Sequence, residues 1–130
     1  MSIYPVNKFN SSIHPGISVN SGNPTVIWDD NEVVGAGYAL VTSIICANKT
    51  DTPKKYSVIL EKITSTGTDA AYLLYEIIIP ANTSYEAIAG NQFILKEGDQ
   101  LKAYSEGIVG STTGVIDVTI SWVTNIPPSE

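Results

Sequence analysis

The sequence contains no arginine, one histidine, one cysteine and little charge of either sign. Charged residues make up only 15% of the 130 positions, and the formal net charge is −6. Nucleic-acid backbones are bound through clustered Lys and Arg. An acidic chain whose positive side chains are all Lys is therefore a poor candidate for this partner, and we expect no nucleic-acid binding.

Histidine and cysteine are too scarce for most catalytic and metal sites. The one cysteine, Cys46, cannot form an internal disulfide, and its apolar neighbours favour a buried core residue. A nucleophile requires a base beside it, yet the only histidine, His14, lies in an irregular N-terminal segment. A zinc site requires three or four close ligands. We therefore predict no enzymatic activity, no catalytic residues, no cofactor and no metal site.

Carboxylates are the remaining source of chemistry, and the sequence favours solvated positions for them. A pair of them could serve a glycosidase, and the acidic stretch 29–32 could hold calcium but lacks EF-hand spacing. Gly98 followed by Asp99 is typical of a turn in which Gly takes the positive φ. Asp117 falls on the polar face of a strand pattern.

Long hydrophobic runs are also absent. The longest are much too short to span a bilayer, and the N-terminus lacks the basic and apolar regions of a signal peptide. We expect no membrane partner. Hydrophobic residues nevertheless make up 43% of the chain, which suffices for the core of one domain of ordinary size.

The first 23 residues differ in composition from the rest. They contain Pro5, Pro15 and two glycines, with isolated apolar residues that follow no sustained period. This pattern predicts an extended N-terminal arm over residues 1–23 and a folded domain over residues 24–130. Two alternatives stay open for the arm. It is a strand that pairs at the edge of the domain, or a tail that docks on a neighbouring subunit.

Beyond residue 24, short β-type runs alternate with turn residues. The clearest is Ile116–Val123, where apolar and polar residues alternate and predict a half-buried strand. The nearly continuous apolar run Ala71–Ile79 predicts a strand covered on both faces, and residues 64–69 a hairpin loop before it. The whole pattern predicts an all-β antiparallel sandwich of two sheets, with Ig-like and jelly-roll topologies both open.

From Tyr72 onward, the order of strands and turns resembles small structural proteins of tailed bacteriophages. The matching stretches are Ile79–Glu86, with its Pro-small-polar stop, then Gln92–Ala103 around the Gly-Asp turn, and the closing strand Val115–Val123. The resemblance covers about half of the chain. It implies a virion component without catalytic residues, and head decoration (cement) proteins are the most similar in role.

This resemblance implies a capsid decoration protein on the virion surface, made in the host cytoplasm, that binds and stabilises the lattice of the major capsid protein. It further implies a homo-oligomer, a trimer or a dimer. The alternative is a tail, neck or fibre component, including a receptor- or carbohydrate-binding module in which exposed Trp28 or Tyr104 stacks on sugars. The candidate partner-binding residues are Tyr4, Phe9, Ile13, Ile17 and Trp28.

Overall fold

The computed structural model describes residues 6–33, 37–88 and 92–126. Within these residues the chain forms nine β-strands and one short 3-10 helix, Asp30–Val33. The strands are β1 Val6–His14, β2 Thr25–Trp28, β3 Ala39–Asn48, β4 Lys54–Thr64, β5 Gly67–Ile79, β6 Ser84–Glu86, β7 Phe93–Leu95, β8 Asp99–Ser105 and β9 Ile116–Ile126.

The strands form two antiparallel sheets that pack as a sandwich, as the sequence predicted. One sheet has the order β1-β9-β3-β6, with β7 also paired to β3, and the other has the order β2-β8-β4-β5. The strand pairs nest around one turn at residues 65–66, as the two arms of one long hairpin would. From the turn outward, the pairs are β4·β5, β3·β6/β7, β2·β8 and β1·β9. Successive pairs alternate between the sheets, which is the jelly-roll arrangement, so the Ig-like alternative is set aside.

The core lies between the inner faces of the two sheets. Strand β9 buries its even-numbered residues from Ile116 to Thr124, and β8 buries Leu101 and Ala103. Both strands therefore follow the period-two pattern of half-buried strands, as predicted. Gly98 has φ 90° in the turn before β8, which confirms the prediction for the Gly98–Asp99 pair.

Strand β1 pairs with β9 along its whole length, from Val6 opposite Ile126 to His14 opposite Val118. Residues 6–14 are thus the edge strand of the five-stranded sheet, the first of the two alternatives considered for the arm. The following residues also join the domain, because Ile17 is buried in the core and its N–H donates to the carbonyl of Ile116 at 2.8 Å.

The prediction that Ala71–Ile79 is covered on both faces is wrong. Strand β5 begins earlier, at Gly67, and most of its side chains are exposed, with only Ile79 buried. The predicted loop 64–69 is a two-residue turn, since strand residues occupy 64 and 67–69. The physical reason is position: β5 lies at the end of its sheet beside β4, and an apolar run alone does not distinguish an edge strand from a central one.

Candidate interaction surface

Strand β1 presents its apolar side chains to solvent. Phe9 and Ile13 lie on the outer face of the sheet and are 80% and 71% exposed. Side chains alternate between the faces of a strand, and the even-numbered positions from Lys8 to His14 are all polar and lie opposite buried residues of β9. A register shifted by one residue would turn Phe9 and Ile13 toward the core and the polar residues toward solvent. Because β1 keeps the register that exposes Phe9 and Ile13, burial within this domain does not explain their outward position.

Phe9 begins an apolar row that crosses the outer face of the five-stranded sheet. The register places Phe9 opposite Val123, Val123 opposite Leu40, and Leu40 opposite Ile94. Side chains that oppose each other on one face of antiparallel strands are close enough to interact. Ile94 is 49% exposed, while Leu40 and Val123 are half-buried. The row thus joins four strands, β1, β9, β3 and β7, into one surface.

A second row runs parallel to the first. Ile13 lies opposite Thr119, Thr119 opposite Ile45, and Ile45 opposite Glu86. Between the two rows lie three serines in register, Ser11, Ser121 and Ser43. We call the surface formed by the apolar members of both rows the Phe9 face; its residues are Phe9, Ile13, Leu40, Ile45, Ile94 and Val123.

Charge is confined to the margins of the Phe9 face. At one end of the second row, the Glu86 carboxylate accepts hydrogen bonds from Ser43 Oγ at 2.8 Å and from the N–H groups of Ile44 and Ile88 at 3.2 Å. These donors compensate its charge within the domain. In the two rows as the structure describes them, Glu86 is the one charged residue. Such a surface loses little hydration of charge when it is covered by a partner.

The five candidate residues from the sequence fall in different places. Phe9 and Ile13 lie together on the Phe9 face, and Tyr4 lies outside the described residues. Ile17 and Trp28 are core residues, and Trp28 is only 2% exposed. An exposed Trp28 for stacking on sugars is therefore wrong, because the side chain points into the sandwich. Its β2 neighbour Val26 is the residue that faces outward.

Among the carboxylates, Asp99 differs from the solvated position that was expected, while Asp117 lies on the outer face of its strand with its side chain 38% exposed. Asp99 is buried and accepts hydrogen bonds from Lys62 Nζ and from the Lys96 N–H, both at 2.9 Å. It thereby closes the turn that precedes β8. Asp117 lies 2.9 Å from Lys49 Nζ and accepts the Gly16 N–H at 2.8 Å. Partial burial raises the pKa of Asp117, but these two partners outweigh it and lower the pKa below its ordinary value.

The remaining reactive side chains serve the fold. Cys46 is buried in the core, as predicted, and this burial raises the pKa of its thiol to about 12. A thiol with so high a pKa is almost wholly protonated at neutral pH, and therefore a poor nucleophile. His14 Nε2 lies 3.0 Å from Ser12 Oγ on strand β1. In the acidic stretch 29–32, Asp30 accepts the Gly98 N–H at 3.0 Å.

The described residues contain neither a metal-binding cluster nor a membrane-spanning helix. No group of three or more His, Cys, Asp or Glu side chains that could hold a metal ion is found there. None of the helical structure in the same residues is long and apolar enough to cross a membrane.

Sequence reasoning missed most of the Phe9 face. Leu40, Ile45 and Ile94 occur in apolar runs that predict only strands. For Val123, the period-two pattern predicted a side chain on the face away from the core. Their common surface depends on cross-strand register between distant segments, which periodicity does not give. The one available signal was in β1, where Phe9 and Ile13 are separated by an even number of positions and so share one face of a strand.

Comparison with known proteins finds similarity in fold. No protein-family model and no curated protein matches the sequence. A chain in the structure of infectious bursal disease virus, Gx strain, superposes with a TM-score of 0.55 at 8% identity, covering 98% of this chain and 33% of that one. A chain in a crystal structure of the viral particle of the same virus gives 0.51 at 9%, with 97% and 32% covered.

A third match is a chain from Bacillus endospore appendages, described as disulfide-linked pili, with a TM-score of 0.47, 14% identity, and 96% and 89% of the two chains covered. The present chain spans about a third of the length of the two viral chains. At these identities the likeness to the viral chains establishes the shared fold, a sandwich of two antiparallel sheets.

Proposed function

We propose that this chain is a non-enzymatic structural protein of a virus particle, and more specifically a capsid decoration protein that binds the lattice of the major capsid protein. The observation that carries the proposal is the Phe9 face, an exposed apolar surface built from four strands. Soluble monomeric domains rarely expose apolar patches larger than a few hundred Å², and the two apolar rows of the Phe9 face are separated only by one row of serines. The jelly-roll fold, which recurs in viral capsid domains, supports the same assignment.

The proposed mechanism is the burial of apolar area across boundaries between capsid subunits. Removing apolar surface from water contributes roughly 25 cal/mol per Å², so a single docked face gives a modest affinity. A homo-oligomer, a dimer or trimer, would dock several faces at once and gain affinity through effective concentration. The bound chain would lie on the outer surface of the virion and brace neighbouring subunits.

Co-sedimentation tests this proposal. Heads assembled from the major capsid protein without this chain are mixed with the purified chain and pelleted. We expect the chain to pellet with the heads in a saturable manner. A chain that stays in the supernatant at every concentration contradicts the decoration role.

Electron microscopy of antibody-labelled virions separates the decoration role from the alternative of a tail, neck or fibre component. Label on the head surface supports decoration. Label on the tail or neck contradicts the decoration role and supports the alternative. Both results agree with a structural role in the virion.

A further inference from the structure

Three tyrosines form a contact cluster on the outer face of the four-stranded sheet, on the opposite side of the molecule from the Phe9 face. Tyr72 and Tyr75 belong to β5, and Tyr104 belongs to β8. The ring centroids of Tyr72 and Tyr75 are 4.7 Å apart at an interplanar angle of 74°, and those of Tyr72 and Tyr104 are 6.4 Å apart at 78°. Tyr72 is 48% and Tyr75 58% exposed.

The cluster depends on an irregular segment of β5. Residues three apart in a regular strand point to opposite faces, yet the rings of Tyr72 and Tyr75 touch. The pairing of β5 with β4 shifts register twice in this segment, around Val58, and Glu76 has φ 50°. A positive φ is costly for a residue with a side chain. These bulges bring both rings to one side and interrupt the regular ladder of the edge strand.

Hydrogen bonds fix part of the cluster. The hydroxyl oxygens of Tyr72 and Tyr104 are 3.1 Å apart. This hydrogen bond and, to a smaller extent, the negative charge of Glu76 raise the pKa of Tyr72. The Glu76 N–H donates to Ser57 Oγ at 2.9 Å, which holds the bulge against β4. The hydroxyls of Tyr72 and Tyr104 are thus held together beside the rings, where each can donate and accept hydrogen bonds.

A cleft of about 260 Å³ adjoins the cluster, and Tyr104 lines it. The charged and polar side chains that also line it include Ser21, Lys55, Ser57, Glu76 and Glu106. Glu106 Oε1 accepts the N–H of Lys55 at 2.7 Å. Among the described residues, the Glu76 carboxylate has no ion pair and accepts no protein hydrogen bond. The cleft therefore offers an available acceptor beside hydroxyl groups and aromatic rings.

We propose that the cluster of Tyr72, Tyr75 and Tyr104, with the adjoining cleft, is a binding site for a neutral saccharide. A pyranose ring has one face rich in C–H groups, which packs on aromatic rings, and hydroxyls that donate to carboxylates and exchange hydrogen bonds with phenols. Tyr side chains supply such contact area at little cost in conformational entropy. In the cleft, the two carboxylates of Glu76 and Glu106 outnumber the single ammonium group of Lys55, so an uncharged ligand fits better than an anionic one.

This inference goes beyond the proposed function and does not rest on it. The site lies on the sheet opposite the Phe9 face, so it stays accessible when the Phe9 face is docked. A virion protein with both surfaces would attach to the particle with one sheet and present a sugar site with the other. The fold is used by lectin domains as well as capsid domains, which is an analogy at the level of fold.

An NMR titration of the full chain tests the site. The probes are glucose, galactose, mannose and N-acetylglucosamine, with sialic acid as the anionic comparison. We expect at least one neutral sugar to shift amide signals of β4, β5 and β8 around the cluster, with a dissociation constant on the order of 1 mM. Sialic acid should bind more weakly than that sugar.

Variants of exposed residues assign the binding to the rings. Tyr72→Ser should weaken binding by about tenfold or more, equivalent to about 1.4 kcal/mol. Tyr72→Phe, which keeps the ring, should weaken it less. Tyr75→Ser gives a second independent test if Tyr72→Ser does not fold. Ile13→Ser, on the opposite sheet, should bind sugar as the unmodified chain does.

Several results would overturn the saccharide site. The first is the absence of any shift at the cluster with all four neutral sugars at concentrations about tenfold above 1 mM. The second is equal binding by the unmodified chain and Tyr72→Ser. The third is a loss of head binding in Tyr72→Ser, because the cluster would then belong to a protein interface. Head binding that survives Tyr72→Ser, together with lost sugar binding, supports two separate surfaces.

Discussion

Polar side chains at single positions hold the loops of this sandwich in place. Asn48 is buried at the end of β3, where its Nδ2 donates to the carbonyls of Thr52 and Ile79 at 2.9 and 3.1 Å. Asp117 holds the segment before β2 in place, because it accepts the Gly16 N–H and forms an ion pair with Lys49. Satisfied buried polar groups of this kind specify one loop conformation.

The lowered pKa of Asp117 predicts how the stability of the fold depends on pH. A carboxyl whose pKa is lower in the folded state stabilises the fold above its unfolded pKa, about 3.9. That contribution disappears as the pH falls through the folded pKa. We expect Asp117→Asn to lower the free energy of unfolding at pH 7. Between pH 5 and pH 2, the free energy of unfolding of this variant should fall less than that of the unmodified chain, measured by urea unfolding. Asp51→Asn, in an exposed loop, is the control. An unchanged pH profile in Asp117→Asn would contradict the role of Asp117.

At the scale of elements, the segment after β1 is joined to the loop before β9 by a close approach of two backbones. A Cβ at Gly114 would lie 2.3 Å from the carbonyl carbon of Gly16, and Gly16 itself has φ +60°. Glycine is needed at Gly114 because no side chain fits between these backbones. This contact brings Ile17 to the core beside Ile116.

We therefore expect Gly114→Ala to destabilise the chain by about 2 kcal/mol, because the two backbones must move apart. Thr113→Ala, next to it and exposed, should change stability by less than about 0.5 kcal/mol. Chemical denaturation of both variants measures the difference. Equal midpoints for the two variants would show that the loop yields without cost and that the close approach is not required.

Elements with a regular period were predictable, and elements placed by the sheet edges were not. The strand Ile116–Val123 and the Gly98 turn follow from local rules, because period two and a positive φ act within a few residues. The exposure of β5 and the outward apolar face of β1 depend on which strand ends each sheet. The Phe9 face and the tyrosine cluster each combine an edge strand with inner strands from distant parts of the chain, so the sequence predicted only Phe9, Ile13 and Tyr104 among their members.

At the scale of the whole molecule, the jelly roll joins the first and last described strands, β1 and β9, in one sheet. Strand β1 covers the edge of β9, and Ile17 contributes to the core from the segment between β1 and β2. Residues 6–23 therefore have two roles. Residues 6–14 provide the edge strand and part of the Phe9 face, while the segment around Ile17 completes the core.

Two truncations separate these roles. Removal of residues 1–14 should leave a folded domain that does not bind heads, because Phe9 and Ile13 are lost. Removal of residues 1–23 also deletes Ile17 and should cost about 3 kcal/mol more, the usual range for losing a large buried side chain. Urea denaturation gives both stabilities. If the two truncated chains are equally stable, the core does not depend on Ile17.

The affinity for heads of a chain carrying Phe9→Ser and Ile13→Ser tests the central claim most directly. The control is Ile63→Ser, since Ile63 and Ile13 are both 71% exposed and Ile63 belongs to the other sheet. Removal of a hot-spot side chain from an interface costs about 2 kcal/mol or more, so we expect at least a roughly 30-fold weaker dissociation constant for the double variant. Ile63→Ser should bind as the unmodified chain does. Unchanged binding by the double variant, or equal losses in both proteins, would contradict the account.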